Sequence, residues 1–281
     1  MECSCFGVGY TYLRLWVLGR TSELIRYRLR LFLFGVWHLV TKQPNGLDMD
    51  YNHSKEILKD FYSKNLIIEN FEKDNQYLET AFNETTEIWL NNLARIKEVR
   101  YLMVAEAPLW GSSKSYIYNP TTPFTQFFHK GDLEYILNIT IKDKVDFINR
   151  CNEIGLLVID ISPFPLNTID TSINYRTISK FQYRELVEKT IPVFFEEKIK
   201  TISLRKSDEI KVFFRYSRVQ RNFQDLIAKV LIRNLFIKSE TDIMEISQQG
   251  GGIDKLKFKR IIPSVSESIQ PNRGIELSVM D

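Results

Sequence analysis

Two carboxylates stand where the sequence turns from apolar to polar. Glu106 follows the apolar run Arg100–Ala105 and opens Glu106-Ala107-Pro108, and Asp160 closes the run that begins at Leu156. An aspartate at the end of a buried run must find partners, because a charge taken out of water without them is costly. Glu106 has the ordinary alternative of a solvated, loop-capping carboxylate. Downstream, Arg205 to Arg233 holds eight basic residues against three acidic ones. Arg215, Arg218 and Arg221 fall at an expected loop-to-helix start, where backbone N–H groups also suit an anion. Lys257 and Lys259, with Lys255 and Arg260, form a second basic cluster. Such clusters neutralise phosphates, and each contact steepens the salt dependence of binding. Their ordinary alternative is a solvated helix face.

Other chemistries are poorly supplied. Gly111-Ser112-Ser113-Lys114-Ser115 superficially matches a phosphate-binding loop, but Pro108 occupies the leading glycine position, Ser113 precedes the lysine, and Tyr116 to Pro120 does not favour a helix. His38, His53 and His129 are scattered, and Cys3 and Cys5 lack a second ligand pair, so no metal site is expected. A Ser-His-Asp or Cys-His nucleophile is unsupported, since only His129 lies near a strand end. No cofactor is expected.

The carboxylates need a scaffold, and the hydrophobic pattern supplies one. Helical spacing covers residues 52–66 and 76–97, the second with Phe82, Thr86, Trp89, Leu93 and Ile96 every three or four positions. Further helices are expected at 142–154, ended by Gly155 as a left-handed cap, at about 178–200, and at about 219–236. Arg100–Ala105, Leu156–Asp160 and Ile210–Phe214 read as buried strands, and Leu256–Ile262, after the Gly250-Gly251-Gly252 turn, as a fourth. Strands that are apolar throughout and separated by helices argue for a parallel sheet covered on both faces. The expected fold class is α/β: a three-layer α/β/α sandwich around a central, mostly parallel four-stranded sheet. Ligands of such sheets bind at the carboxyl ends of the strands, here at Glu106, Asp160, Arg215 and Pro263.

Composition sets limits on this frame. With 281 residues, 44% hydrophobic and 26% charged, the chain suits one large domain and is neither disordered nor disulfide-built. Three cysteines make a reducing, intracellular and cytoplasmic setting the default. A net charge of +3 does not by itself announce a nucleic-acid partner. Residues 1–48 hold five arginines and one lysine. Their longest apolar run, Leu31 to Val40, is about half of the roughly 20 residues a bilayer span needs. Three readings of this extension stay open: a targeting or membrane-surface segment, a helix packed on the domain, or dispensable upstream sequence with Met49 as the true start. From Met49 onward, 32 basic residues balance 32 acidic ones in a single domain, 49–281, with a monomer as the default.

Val104-Ala105-Glu106-Ala107-Pro108, then Tyr116, Tyr118 and Asn119-Pro120, then Gly155 to Asp160, together resemble the uracil-DNA glycosylase superfamily over about residues 98–268. In that superfamily the first strand ends in a short Gly-[Gln/Glu]-[Asp/Ala]-Pro turn, an aromatic residue further on stacks against an extruded base, and a Gly-led strand ends in the base-reading residue. Glu106-Ala107-Pro108 is similar to the turn of the iron–sulfur-containing branch, and Asp160 falls where the base reader, usually asparagine, stands. Ile262-Pro263-Ser264 would match the final His-Pro-Ser motif with its histidine missing.

The resemblance implies a DNA glycosylase-like enzyme acting on a base taken out of the stack. Cleaving an N-glycosidic bond builds positive charge on the sugar and negative charge on the departing base. Glu106 would orient water or stabilise the sugar cation, and Asp160 would read the base. Tyr118 would stack on that base, with Phe124 as its substitute, and Ser264 or a backbone N–H would stand in for the missing donor. Arg215, Arg218, Arg221, Lys257 and Lys259 would hold the DNA backbone. An acceptor-only aspartate favours a base edge presenting N–H groups over uracil's carbonyls. The cluster-binding cysteines are absent, and Ala107 stands where the best-known branch has its water-activating aspartate. Two rivals therefore stay open: a binding module of the same fold without catalysis, for nucleic acid or protein, and a domain for a small phosphorylated ligand.

Overall fold

The structure, a computed structural model, describes residues 49–122, 124, 130–247 and 253–262. The chain divides into Met1–Gly46 and Leu47–Asp281, and every described residue belongs to the second unit. The expectations for residues 1–48, the Gly250–Gly252 turn, Pro263 and Ser264 lie outside the described residues. Among the described residues no helix is long and apolar enough to cross a membrane.

The fold is α/β, with a central sheet of four strands, all parallel, in the order β2-β1-β3-β4. The strands are β1 (Val99–Ala105), β2 (Leu156–Asp160), β3 (Lys206–Phe214) and β4 (Ile243–Met244). β1 and β2 are almost entirely buried, as continuous apolar runs in a doubly covered sheet must be. Their register sets Ala105 opposite Asp160, and Val104 opposite both Ile159 and Phe214, so three strands end level with one another.

Eight helices frame the sheet within the described residues: α1 (Tyr51–Lys64), α2 (Phe71–Leu93), α3 (Lys130–Leu137), α4 (Lys144–Ile154), α5 (Lys180–Thr190), α6 (Glu196–Ser203), α7 (Ser217–Arg233) and α8 (Lys255–Ile261). α4 starts on an Asp143 cap and stops at Gly155, whose φ of 76° and close approach to the Glu98 carbonyl leave no room for a Cβ. α5 and α6 join through a π-helical turn, Ile191–Phe195, in which the Glu196 N–H donates five residues back to the Ile191 carbonyl. Pro192, lacking an N–H, sits at the start of that turn.

The fourth strand is not where the sequence places it. Leu256–Ile261 belongs to a helix, α8, with Ile262 as its extended C-cap, and the helix is nucleated by the Asp254 side chain, which accepts from the Leu256 and Lys257 N–H groups. Phe258 alone of that helix is fully buried, and its ring meets Tyr101 and Phe213 edge-on, which pins α8 to one face of the sheet. The true fourth strand is the two-residue Ile243–Met244, beside β3.

The outer edge of β2 is closed by side chains. The Val158 N–H donates to the Tyr118 hydroxyl (2.6 Å), and the Trp89 indole N–H donates to the Val158 carbonyl (3.0 Å). An edge strand otherwise carries unpaired backbone groups open to another chain.

Candidate functional site

The level strand ends bring the two predicted carboxylates onto neighbouring loops. Glu106 is the first residue after β1, and its carbonyl accepts the Ser162 N–H just past the end of β2 (3.0 Å). Its carboxylate pairs with Arg218 Nη2 (2.5 Å), from the first turn of α7, so the ion pair ties the ends of β1 and β3 together. Burial raises the Glu106 carboxyl above the usual carboxylate range, against the opposing pull of Arg218.

Asp160, 2% exposed, accepts a hydrogen bond from the Tyr116 hydroxyl (3.2 Å). Burial lifts its carboxyl above the usual range, with Lys198 and the Tyr116 hydrogen bond opposing. A small void against Asp160 is lined by Ala107, Leu109, Tyr116 and Ile117 and is too narrow for a water molecule. The carboxylate is therefore satisfied by protein in this state and faces no open chamber.

The two carboxylates share a neighbour. Tyr175, on the segment between β2 and α5, packs edge-on against Tyr183, with ring centroids 5.5 Å apart. Desolvation of its hydroxyl, then the charge on Glu106 and to a smaller extent that on Asp160, raise the phenol above its ordinary range. Its residue surface is 44% exposed although its hydroxyl is desolvated, so part of the residue stays open to solvent.

The loops that carry these groups are laced together. The Tyr77 hydroxyl accepts from the Gly111 N–H and from the Asn167 amide, both at 3.0 Å, joining the loop after β1 to the loop after β2 through α2. Asn167 in turn caps its own loop by accepting from the Ile169 and Asp170 N–H groups.

Several expected participants are placed elsewhere. Tyr118 is 4% exposed, with its hydroxyl committed to the β2 edge, so no face is presented to a base. Its large burial follows from that structural duty. Phe124 stands edge-on to Phe147 of α4 (5.7 Å) with Lys130 near its ring. Arg215 is 1% exposed, its guanidinium beside the Tyr216 ring (4.9 Å), and so it is a core residue and not a surface phosphate contact. Arg218 and Arg221 are both exposed and, three residues apart on α7, lie on one side of its first turn.

Lys257 reaches the Glu245 carbonyl (3.3 Å) and Lys259 lies over the Tyr135 ring (4.9 Å), so the α8 lysines point into two different neighbourhoods. With the strand reassigned, Ile262 ends a helix, and the carboxyl end of the fourth strand is Glu245-Ile246-Ser247. There a groove of about 760 Å³ opens, with Gln220, Gln224, Glu245 and Lys257 among its lining.

Lys198 was not singled out from the sequence. It sits on α6, 2% exposed, with Nζ 4.2 Å from the Phe194 ring centroid and 4.9 Å from that of Trp89. A lysine in a helical, charge-rich segment reads as solvated, and nothing in the local pattern marks it as buried. Among the described residues no group of three or more histidine, cysteine, aspartate or glutamate side chains gathers to hold a metal ion. Compared with protein-family models, with curated proteins and with solved structures, the chain returns no match.

Proposed function

We propose that the chain is a DNA glycosylase-like protein that engages an extruded base at the carboxyl ends of β1 and β2. The observation carrying this reading is the pairing of Glu106 and Asp160 on adjacent strand ends, with Tyr175 beside both and Arg218 bridging from α7. Asp160 reads the base: as an acceptor it suits an exocyclic amine or a ring N–H. Tyr175 takes the stacking role, which is worth about 1–3 kcal/mol per base. Glu106 stabilises the sugar cation or orients water once Arg218 turns to a backbone phosphate, and Arg221 lies ready for a second one. Leu109, 45% exposed at the rim of the narrow void, must move to admit a base.

The closed void and the Glu106–Arg218 pair favour a second reading, a nucleic-acid-binding module of the same architecture without catalysis. A base-release screen on oligonucleotides carrying modified bases, with the full chain, separates the two. Release lost in Glu106→Gln and Asp160→Asn supports the enzyme. Binding without release, with the slope of log affinity against log salt falling by about one for Arg218→Gln, selects the module. Neither binding nor release sinks both.

A further inference from the structure

We propose that Lys198 is a positioning residue for the strand-end site, the counter-charge that keeps the Asp160 carboxylate ionised and ready to accept hydrogen bonds. The purpose of that carboxylate rests on the glycosylase-like reading; the coupling of the two charges does not.

Lysine is almost never fully buried without a partner. Lys198 is buried, and among the described residues its Nζ makes no hydrogen bond and no direct ion pair; it faces the rings of Phe194 and Trp89, whose negative faces stabilise a cation. Trp89 is itself fastened to the Val158 carbonyl, two residues before Asp160, so the aromatic box is anchored to the strand that carries the carboxylate. From the described residues, the groups whose charge acts on or answers to Asp160 are Lys198 of α6, Tyr116 and Tyr118 of the loop after β1, and Tyr175 of the segment after β2. The three phenols are raised by burial and stay neutral, which leaves Lys198 as the cation. Burial pushes the Lys198 ammonium down to about 8, with Asp160 holding it up, so it remains charged at neutral pH.

The helix is built to deliver this side chain. The π turn Ile191–Phe195 adds a residue to the helical path just before α6, and each added residue turns the downstream helix by about 100°. Such turns recur at functional sites.

Carboxyl ¹³C NMR titration of the full chain, with the Asp160 signal assigned by Asp160→Asn, is the test. In Lys198→Met the Asp160 midpoint should rise by about one pH unit or more, and Lys198→Arg should return it towards wild type. An unchanged midpoint in Lys198→Met overturns the proposal. Should Lys198→Met fail to fold, the reciprocal measurement decides: ¹⁵Nζ titration of Lys198 should fall by about one unit in Asp160→Asn, and no fall overturns it. If wild type neither binds nor cleaves oligonucleotides, the glycosylase-like reading fails while these titrations still judge the coupling.

Discussion

Burying Lys198 should leave a signature in the pH dependence of stability. Its midpoint moves from 10.5 to about 8 in the folded chain. Between those values the unfolded chain holds a proton that the folded chain has given up, so stability rises with pH across that window and the gain is complete near 10.5. A displacement of about 2.5 pH units at about 1.4 kcal/mol each gives about 3.5 kcal/mol in full. The side chain is 2% exposed, so solvent screening removes little of this. In the unfolded chain the Cys151 thiol and the tyrosines ionise from about pH 8.5 upward while the buried thiol and phenols resist, which works in the opposite direction. The Lys198 contribution, about 1–2 kcal/mol between pH 8 and 9.5, is therefore read as the wild-type curve minus the Lys198→Met curve. Urea denaturation followed by tryptophan fluorescence, repeated at half-unit steps, measures it. Lys198→Met should be flat or falling over the same range. A variant that keeps the wild-type slope would refute the buried, desolvated ammonium.

Gly155→Ala should lose about 3 kcal/mol or more, because the residue holds φ at 76° and a Cβ would lie 2.4 Å from the Glu98 carbonyl; thermal unfolding with a loss below about 1 kcal/mol would contradict the close approach. Tyr118→Phe should cost about 1–3 kcal/mol and speed hydrogen exchange at the Val158 amide, since the acceptor for a buried N–H disappears. Unaltered exchange there would show that the edge is satisfied some other way.

What the sequence made legible follows from what burial does to residue choice. β1, β2 and the Ile210–Phe214 part of β3 announce themselves because a strand covered on both faces favours apolar side chains, whereas the polar, partly exposed start of β3, Lys206–Glu209, does not; Gly155 announces the end of α4 because few other residues adopt its backbone angles. β4 has two residues, too few to carry any periodicity. Leu256, Phe258 and Ile262 are spaced as in a strand, with Arg260 interrupting the alternation, but Asp254 caps a helix start and Phe258 is the one fully buried anchor of that helix. Glu106 and Asp160 were legible because polarity changes abruptly at a strand end. Arg215 and Lys198 were not: a long cation reads as solvated, and only the rings of distant residues, Tyr216 beside one and Trp89 and Phe194 around the other, reveal that it is buried. Tyr118 was misread for a similar reason, and Tyr175 carried no signal of its own. Both are tyrosines in loops, and the free backbone of the β2 edge, invisible in one dimension, is what turns the Tyr118 ring inward.

The wide turn at Ile191–Phe195 gives the chain an unusual evolutionary hinge. Losing one codon there would turn α6 by about 100° relative to α5, moving Lys198 from its aromatic box together with the buried Ile199 and Ile202. Gain or loss of whatever Asp160 serves could thus come from a single in-frame indel more than thirty positions away along the polypeptide.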